Sequence, residues 1–201
     1  MKRRSFILAA LFAAALIWIA TIGAAFQAIR NFETTPGRAA IAPRAWPTSS
    51  RVQRASGWTL VMLIHPHCSC SRASVEELEA VIESVPALRP TVLVYRPSDF
   101  PRGWEQTEVV KAASHLQRTR VLIDDDGREA RLFGGFTSGQ TFLYDRDGKL
   151  RFSGGITSLR GHAGINRGRT GVIDLIRSRS ARATHPVFGC AITSTTAKET
   201  K

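Results

Sequence analysis

Between Phe6 and Ile29 the chain runs 24 residues without a charged side chain, directly behind Lys2-Arg3-Arg4. A helix needs about 20 apolar residues to cross a bilayer core. The apolar part of a secretory signal is about 7–15 residues long. Residues 1–29 are therefore read as an N-terminal signal anchor, a transmembrane helix that stays on the chain. Gly23-Ala24-Ala25 is the alternative, a small-residue site where cleavage would leave a protein beginning near Phe26. A core helix is a poor reading of a terminal segment that is apolar on every face. Basic residues are dense before the run and sparse after it, at Arg30, Arg38 and Arg44. The positive-inside rule then predicts a single-pass protein of the inner, cytoplasmic membrane, with residues 30–201 on the periplasmic or extracellular side.

Export bears on the cysteines and on the charge. The chain has three cysteines, and an oxidising compartment permits disulfides. One pair plus one leftover is the simplest arithmetic, and Cys68 with Cys70 is the only local pair. Lys and Arg total 28 against 16 Asp and Glu, a formal net charge of +12. The basic residues are scattered among Gly, Ser and Thr, with no dense run beyond Lys2-Arg3-Arg4. That pattern predicts no nucleic-acid partner.

Residues 30–56 hold Pro36, Gly37, Pro43, Pro47 and a Ser/Thr cluster, and read as a linker from membrane to domain. Trp58 to His65 is a continuous apolar run bounded by Gly57 and Pro66, the signature of a buried strand. A helix follows, with Val75, Leu78, Ile82 and Val85 on one stripe and Glu76, Glu77, Glu79 and Glu83 mostly off it. Thr91 to Tyr95 is a second buried strand. Glu105 to Gln117 reads as a helix with Val109, Ala112, Ala113 and Leu116 inward, and Arg120 to Ile123 as a short strand. Asp124-Asp125-Asp126-Gly127 reads as a turn, and Arg128 to Phe133 as a turn or two of helix. Gln140–Asp145 and Lys149–Ser153 flank an Asp-Gly turn and form a hairpin. Val172 to Arg179 closes the domain as a helix, and residues 181–201 form a tail. A βαβ unit followed by a ββα unit predicts an α/β fold, a mixed sheet flanked by helices.

That order, with a Cys-bearing turn after the first buried strand and a TFLYDRDG hairpin, resembles the thioredoxin-like superfamily over residues 57–180. The N-terminal anchor is similar to that of its membrane-tethered bacterial members. The stretch Gly154-Gly155-Ile156 to Gly168 resembles the RedB-type branch. The resemblance implies thiol–disulfide exchange with client protein thiols or disulfides, with Cys68 as the attacking thiol. The sequence departs from the family pattern in two places. His67 stands where the family has Trp, and the second cysteine, Cys70, is two residues on, with Ser71 at the family's position. Gln140 stands where the family has a cis-proline.

The segment His65-Pro66-His67-Cys68-Ser69-Cys70-Ser71 carries the chemistry. A thiolate is the active form of cysteine as nucleophile and as metal ligand. At a strand end that opens a helix, unpaired N–H groups and the helix dipole favour negative charge. On this reading Cys68, Cys70 and His67 form the catalytic set, with His67 tuning the thiolate and no cofactor needed. The alternative is a Cu or Zn site using Cys68, Cys70, His67 and His65, since two thiolates and imidazole suit soft metals. A second alternative is a non-catalytic binding module of the same fold. Cys190 remains open as a resolving thiol, a third ligand or a free thiol. The loop from Arg160 to Arg169 reads as a solvated loop, or as an anion site built on its arginines and glycines.

Overall fold

The computed structural model describes residues 2–192. One compact unit ends at Thr35 and a second begins at Pro36. The first is α1 (Lys2–Thr34), 33 residues or about 50 Å of helix. It is long and apolar enough to cross a membrane. Phe6, Leu8, Phe12, Ile17 and Trp18 all lie on its exposed surface.

The second unit is built on a six-stranded sheet. Its elements in chain order are β1 (Thr59–Ile64), α2 (Ser69–Ser84), β2 (Thr91–Arg96), α3 (Glu108–His115), β3 (Arg120–Asp125), α4 (Arg128–Leu132), β4 (Thr141–Tyr144), β5 (Leu150–Gly154), α5 (Arg167–Ile176) and β6 (Thr184–His185). The strand order is β3-β2-β1-β4-β5-β6. β1, β2 and β3 run parallel, while β4 is antiparallel to both β1 and β5. β6 lies parallel to β5 at the far edge.

The alternation of strand side chains divides the core in two. Leu60, Met62 and Ile64 of β1 join Val92 and Val94 of β2 on one face, against Val75, Leu78, Val81 and Ile82 of α2 and Val172 of α5. Val61 and Leu63 point to the other face, where they meet Leu93, Phe133, Phe142 and Tyr144. Every residue of β1 is buried, which is why the strand reads as an unbroken apolar run. Leu78 has no exposed surface, so Leu78→Ala would cost about 2–5 kcal/mol.

The structure departs from the sequence reading in several places. Residues 36–56 do not hang as a free linker but line the second core. Trp46 packs edge-on against Phe133 and Tyr144, Val52 is buried, and Ile41 and Trp46 donate their amides to Gly134 and Gly148. Isolated apolar residues among prolines and serines carry no period, so this packing left no pattern to read. In α3, Ala112 is exposed and Ala113 with Leu116 faces the core. Glu77 lies 2 % exposed within α2, where Gly164, Asn166 and Arg169 satisfy its carboxylate. Helix α5 starts earlier than expected, because Asn166 caps it by accepting the Arg169 amide. The loop from Arg160 to Arg169 is thus committed inward at both ends.

Candidate redox centre

β1 delivers the chain to the site. After Ile64, the turn His65-Pro66-His67 leads to Cys68, the N-cap of α2, with extended backbone at φ −90° and ψ 119°. Cys70 is already helical, at the second position of α2. Both are 4 % exposed. Serine hydroxyls fix the turn. Ser138 accepts the His65 amide at 2.8 Å and shares a 2.8 Å bond with Ser71, whose hydroxyl donates to the His65 carbonyl at 2.9 Å. Ser138 precedes β4, so this network ties the cysteine turn to the far side of the central strand pair.

The C-terminal segment then brings in the third cysteine. Beyond β6 the chain runs along Phe136-Thr137-Ser138. The Ser138 amide donates to the Cys190 carbonyl at 2.8 Å, and the Ile192 amide donates to the Phe136 carbonyl at 2.9 Å. Thr137 and Ala191 form an antiparallel bridge. The Arg160 guanidinium donates to the Gly189 carbonyl at 2.6 Å. Position 189 requires glycine, because a Cβ there would run into the Ser138 carbonyl. The three cysteines are unbridged, and the thiol of Cys190 lies in hydrogen-bonding contact with the sulfur of Cys68.

This contact decides the charge state. Cys68 titrates at about 5. The Cys190 thiol is the largest cause, and the amides of Cys190 and Cys70 and the Cys70 thiol add to it against the opposing effect of burial. Cys190 is pushed far up, first by that same bond to Cys68, then by burial and by the charge on Cys68. Cys70 is pushed up by burial and by the Cys68 charge. Arg160 pulls both of these thiols back down. The site therefore holds one thiolate, at Cys68, flanked by two thiols.

The two histidines fall on the rim. The His67 ring meets the Trp104 carbonyl at 2.8 Å, and its centroid lies 4.4 Å from the Trp104 ring. Among the charges acting on His65, that of Cys68 raises its pKa, while burial is the larger effect and lowers it. His65 also packs near Tyr95 and Trp104, at centroid distances of 5.7 and 5.5 Å. Among the described residues, no three His, Cys, Asp or Glu side chains are grouped so as to hold a metal ion. Ser138 and Trp104 carried no sequence signal for this site, whereas Arg160 stood out as the first arginine of the loop read as a possible anion site. Cys190 carried one too, as the odd cysteine beyond the last helix.

A parallel β1–β2 pair continued by an antiparallel β4–β5 hairpin, with a cysteine at the junction of the first strand and its helix, defines a thioredoxin-like fold. β3 and β6 extend that sheet at its two edges. Among solved structures the chain is similar to a hypothetical protein from Sinorhizobium meliloti 1021, at 19 % identity and a TM-score of 0.58, over 81 % of this chain and 96 % of that one. It is also similar to an uncharacterized conserved protein from Geobacillus kaustophilus, at 18 % identity and a TM-score of 0.56, over 81 % and 94 % of the two chains. A secreted disulfide oxidoreductase of Mycobacterium tuberculosis matches at 15 % identity and a TM-score of 0.43, over 61 % and 82 %. At these identities the likeness is one of fold. No protein-family model and no curated protein matches the chain.

Proposed function

We propose that this is a membrane-anchored thioredoxin-like protein that carries out thiol–disulfide exchange on exported client proteins, at its Cys68-Ser69-Cys70 centre. The observation that carries the reading is the placement of Cys68 at the N-cap of α2, buried beside Cys70 and the Cys190 strap, where two amides and two neighbouring thiols favour its thiolate. A buried cysteine that only filled space would be pushed up by its surroundings, as Cys70 is. Cys68 is driven the other way, which is the condition for a nucleophile at neutral pH.

In the first step the Cys68 thiolate attacks a client disulfide. A Cys68–client disulfide forms, and the other client sulfur leaves as a thiolate and takes a proton from water. A second thiol of the site then displaces the remaining client sulfur. Helix α1 would hold the domain at the membrane, and the basic cluster in its first turn supports an exported orientation. The test is stoichiometric reduction of a model protein disulfide by the pre-reduced full chain in detergent. Wild type is expected to exchange, and Cys68→Ser is expected to abolish exchange. Exchange that survives in Cys68→Ser, or is absent from wild type, rejects the proposal.

A further inference from the structure

The segment around Cys190 occupies an extended strip beside a nucleophilic sulfur. A backbone bond on each side of Ala191 holds it there, to Ser138 and Phe136. The Arg160 bond to Gly189 and the Gly37 amide on the Val187 carbonyl secure the approach to it. We infer that Cys190, not Cys70, is the thiol that resolves mixed disulfides on Cys68. The inference rests on the exchange reading above and names the partner that the reading leaves to the site.

The geometry separates the two candidates. Cys68 and Cys70 are joined by the first turn of α2, which the Ser71 amide closes on the Cys68 carbonyl at 3.0 Å. Residues two apart on a helix do not face each other, and their Cβ vectors diverge. A Cys68–Cys70 bridge would have to open that turn and strain it. Cys190 comes from a separate chain segment: Ser138 binds its carbonyl through the backbone amide and binds the His65 amide through its hydroxyl, so Cys190 approaches Cys68 from outside α2. Bonding distance for two sulfurs is about 2.0 Å, and closing to it draws on the strap rather than on the helix. No helix turn has to unwind.

The chemistry orders the steps. While Cys68 is a thiolate, Cys190 is its proton donor and is not a nucleophile. Once Cys68 is bonded to a client sulfur, its charge and its acceptor role are gone. Cys190 then gives its proton to water, attacks the Cys68 sulfur and expels the client thiolate, which takes up a proton. Two protein thiols and one client disulfide become one Cys68–Cys190 disulfide and two client thiols. Because the strap is part of the chain, the second step is intramolecular, and the mixed disulfide is short-lived.

The inference is tested on the reduced full-length chain in detergent, treated with oxidised glutathione, quenched and mapped by mass spectrometry. The expected wild-type product is a Cys68–Cys190 disulfide with Cys70 alkylated. Cys190→Ser should accumulate glutathione on Cys68, with a lifetime about tenfold longer or more. Cys70→Ser should still close the Cys68–Cys190 bond. A Cys68–Cys70 bridge in wild type, or accumulation confined to Cys70→Ser, overturns the assignment and leaves exchange standing. A wild type whose three thiols all stay open to alkylation, with neither a protein disulfide nor bound glutathione, overturns both. The wild-type map requires no variant to fold.

Discussion

Cys190→Ala isolates the contact on which the electrostatics of the site depends. The substitution removes the sulfhydryl that most stabilises the Cys68 thiolate and leaves the Cys190 amide in place. In wild type Cys68 titrates at about 5, against about 8.5 for a free thiol. The lost donor bonds only the charged form, so its removal must raise the Cys68 pKa. A hydrogen bond to a charged group contributes about 1.5–3 kcal/mol, and one pKa unit corresponds to about 1.4 kcal/mol, so the midpoint rises by about 1–2 units. Burial works against Cys68 ionisation, and water entering the space left by the sulfur would relieve it, which favours the lower end of that range. At pH 6 the wild-type sulfur is then about nine-tenths thiolate and the variant about half. The assay is ultraviolet thiolate absorbance across a pH titration. Cys70 and Cys190 both ionise late, so the first transition counts one thiolate per chain and belongs to Cys68. A variant midpoint at or below that of wild type would refute the claim that the Cys190 thiol sustains this charge. A wild-type midpoint near the free-thiol value would refute the whole cradle.

Arg160→Gln removes the bond to Gly189 and the charge that favours ionisation of Cys190. Clearance of glutathione from Cys68 should slow by about tenfold, while its capture, followed in the same stopped reaction, should change little; an equal loss in both steps would mean general damage instead. Glu77→Ala strands Arg169 and the Gly164 amide. It should cost near the low end of about 3–5 kcal/mol in chemical denaturation, since Arg169 keeps 18 % of its side chain exposed. An unchanged midpoint would show that the pair does not hold α5 to α2. In membrane fractions the full-length chain should sediment with lipid, and a soluble product whose sequence starts near Phe26 would show cleavage at Gly23-Ala24-Ala25 instead.

What the sequence reveals about this protein, and what it hides, follows the distance over which each feature is determined. The first strand is legible because both of its faces are covered, which leaves five apolar residues in a row from Leu60 to Ile64. The β4–β5 turn is legible because Gly148 supplies the positive φ that closes it. Cys68 falls at the strand–helix junction for the same local reason. Glu77 sits among glutamates of the same helix and differs from them only because residues 164–169 fold over it. Such a partner leaves no trace in the helical period. The strap is the clearest case. Its bond from Ser138 to Cys190 spans 52 positions and uses backbone groups, which every residue carries. The side chains it needs are a glycine where a Cβ would strike a carbonyl and a cysteine that reaches across the site. An odd cysteine beyond the last helix was therefore the only mark of it in the sequence, and its chemistry became readable once the antiparallel bridge at Thr137 laid its segment beside Ser138. The spacing of Cys68 and Cys70, anomalous for a bridging pair, stops being a puzzle if neither has to bridge the other. Cys70 is then the thiol that lends Cys68 an amide and a donor, and the exchange couple is made from two ends of the domain.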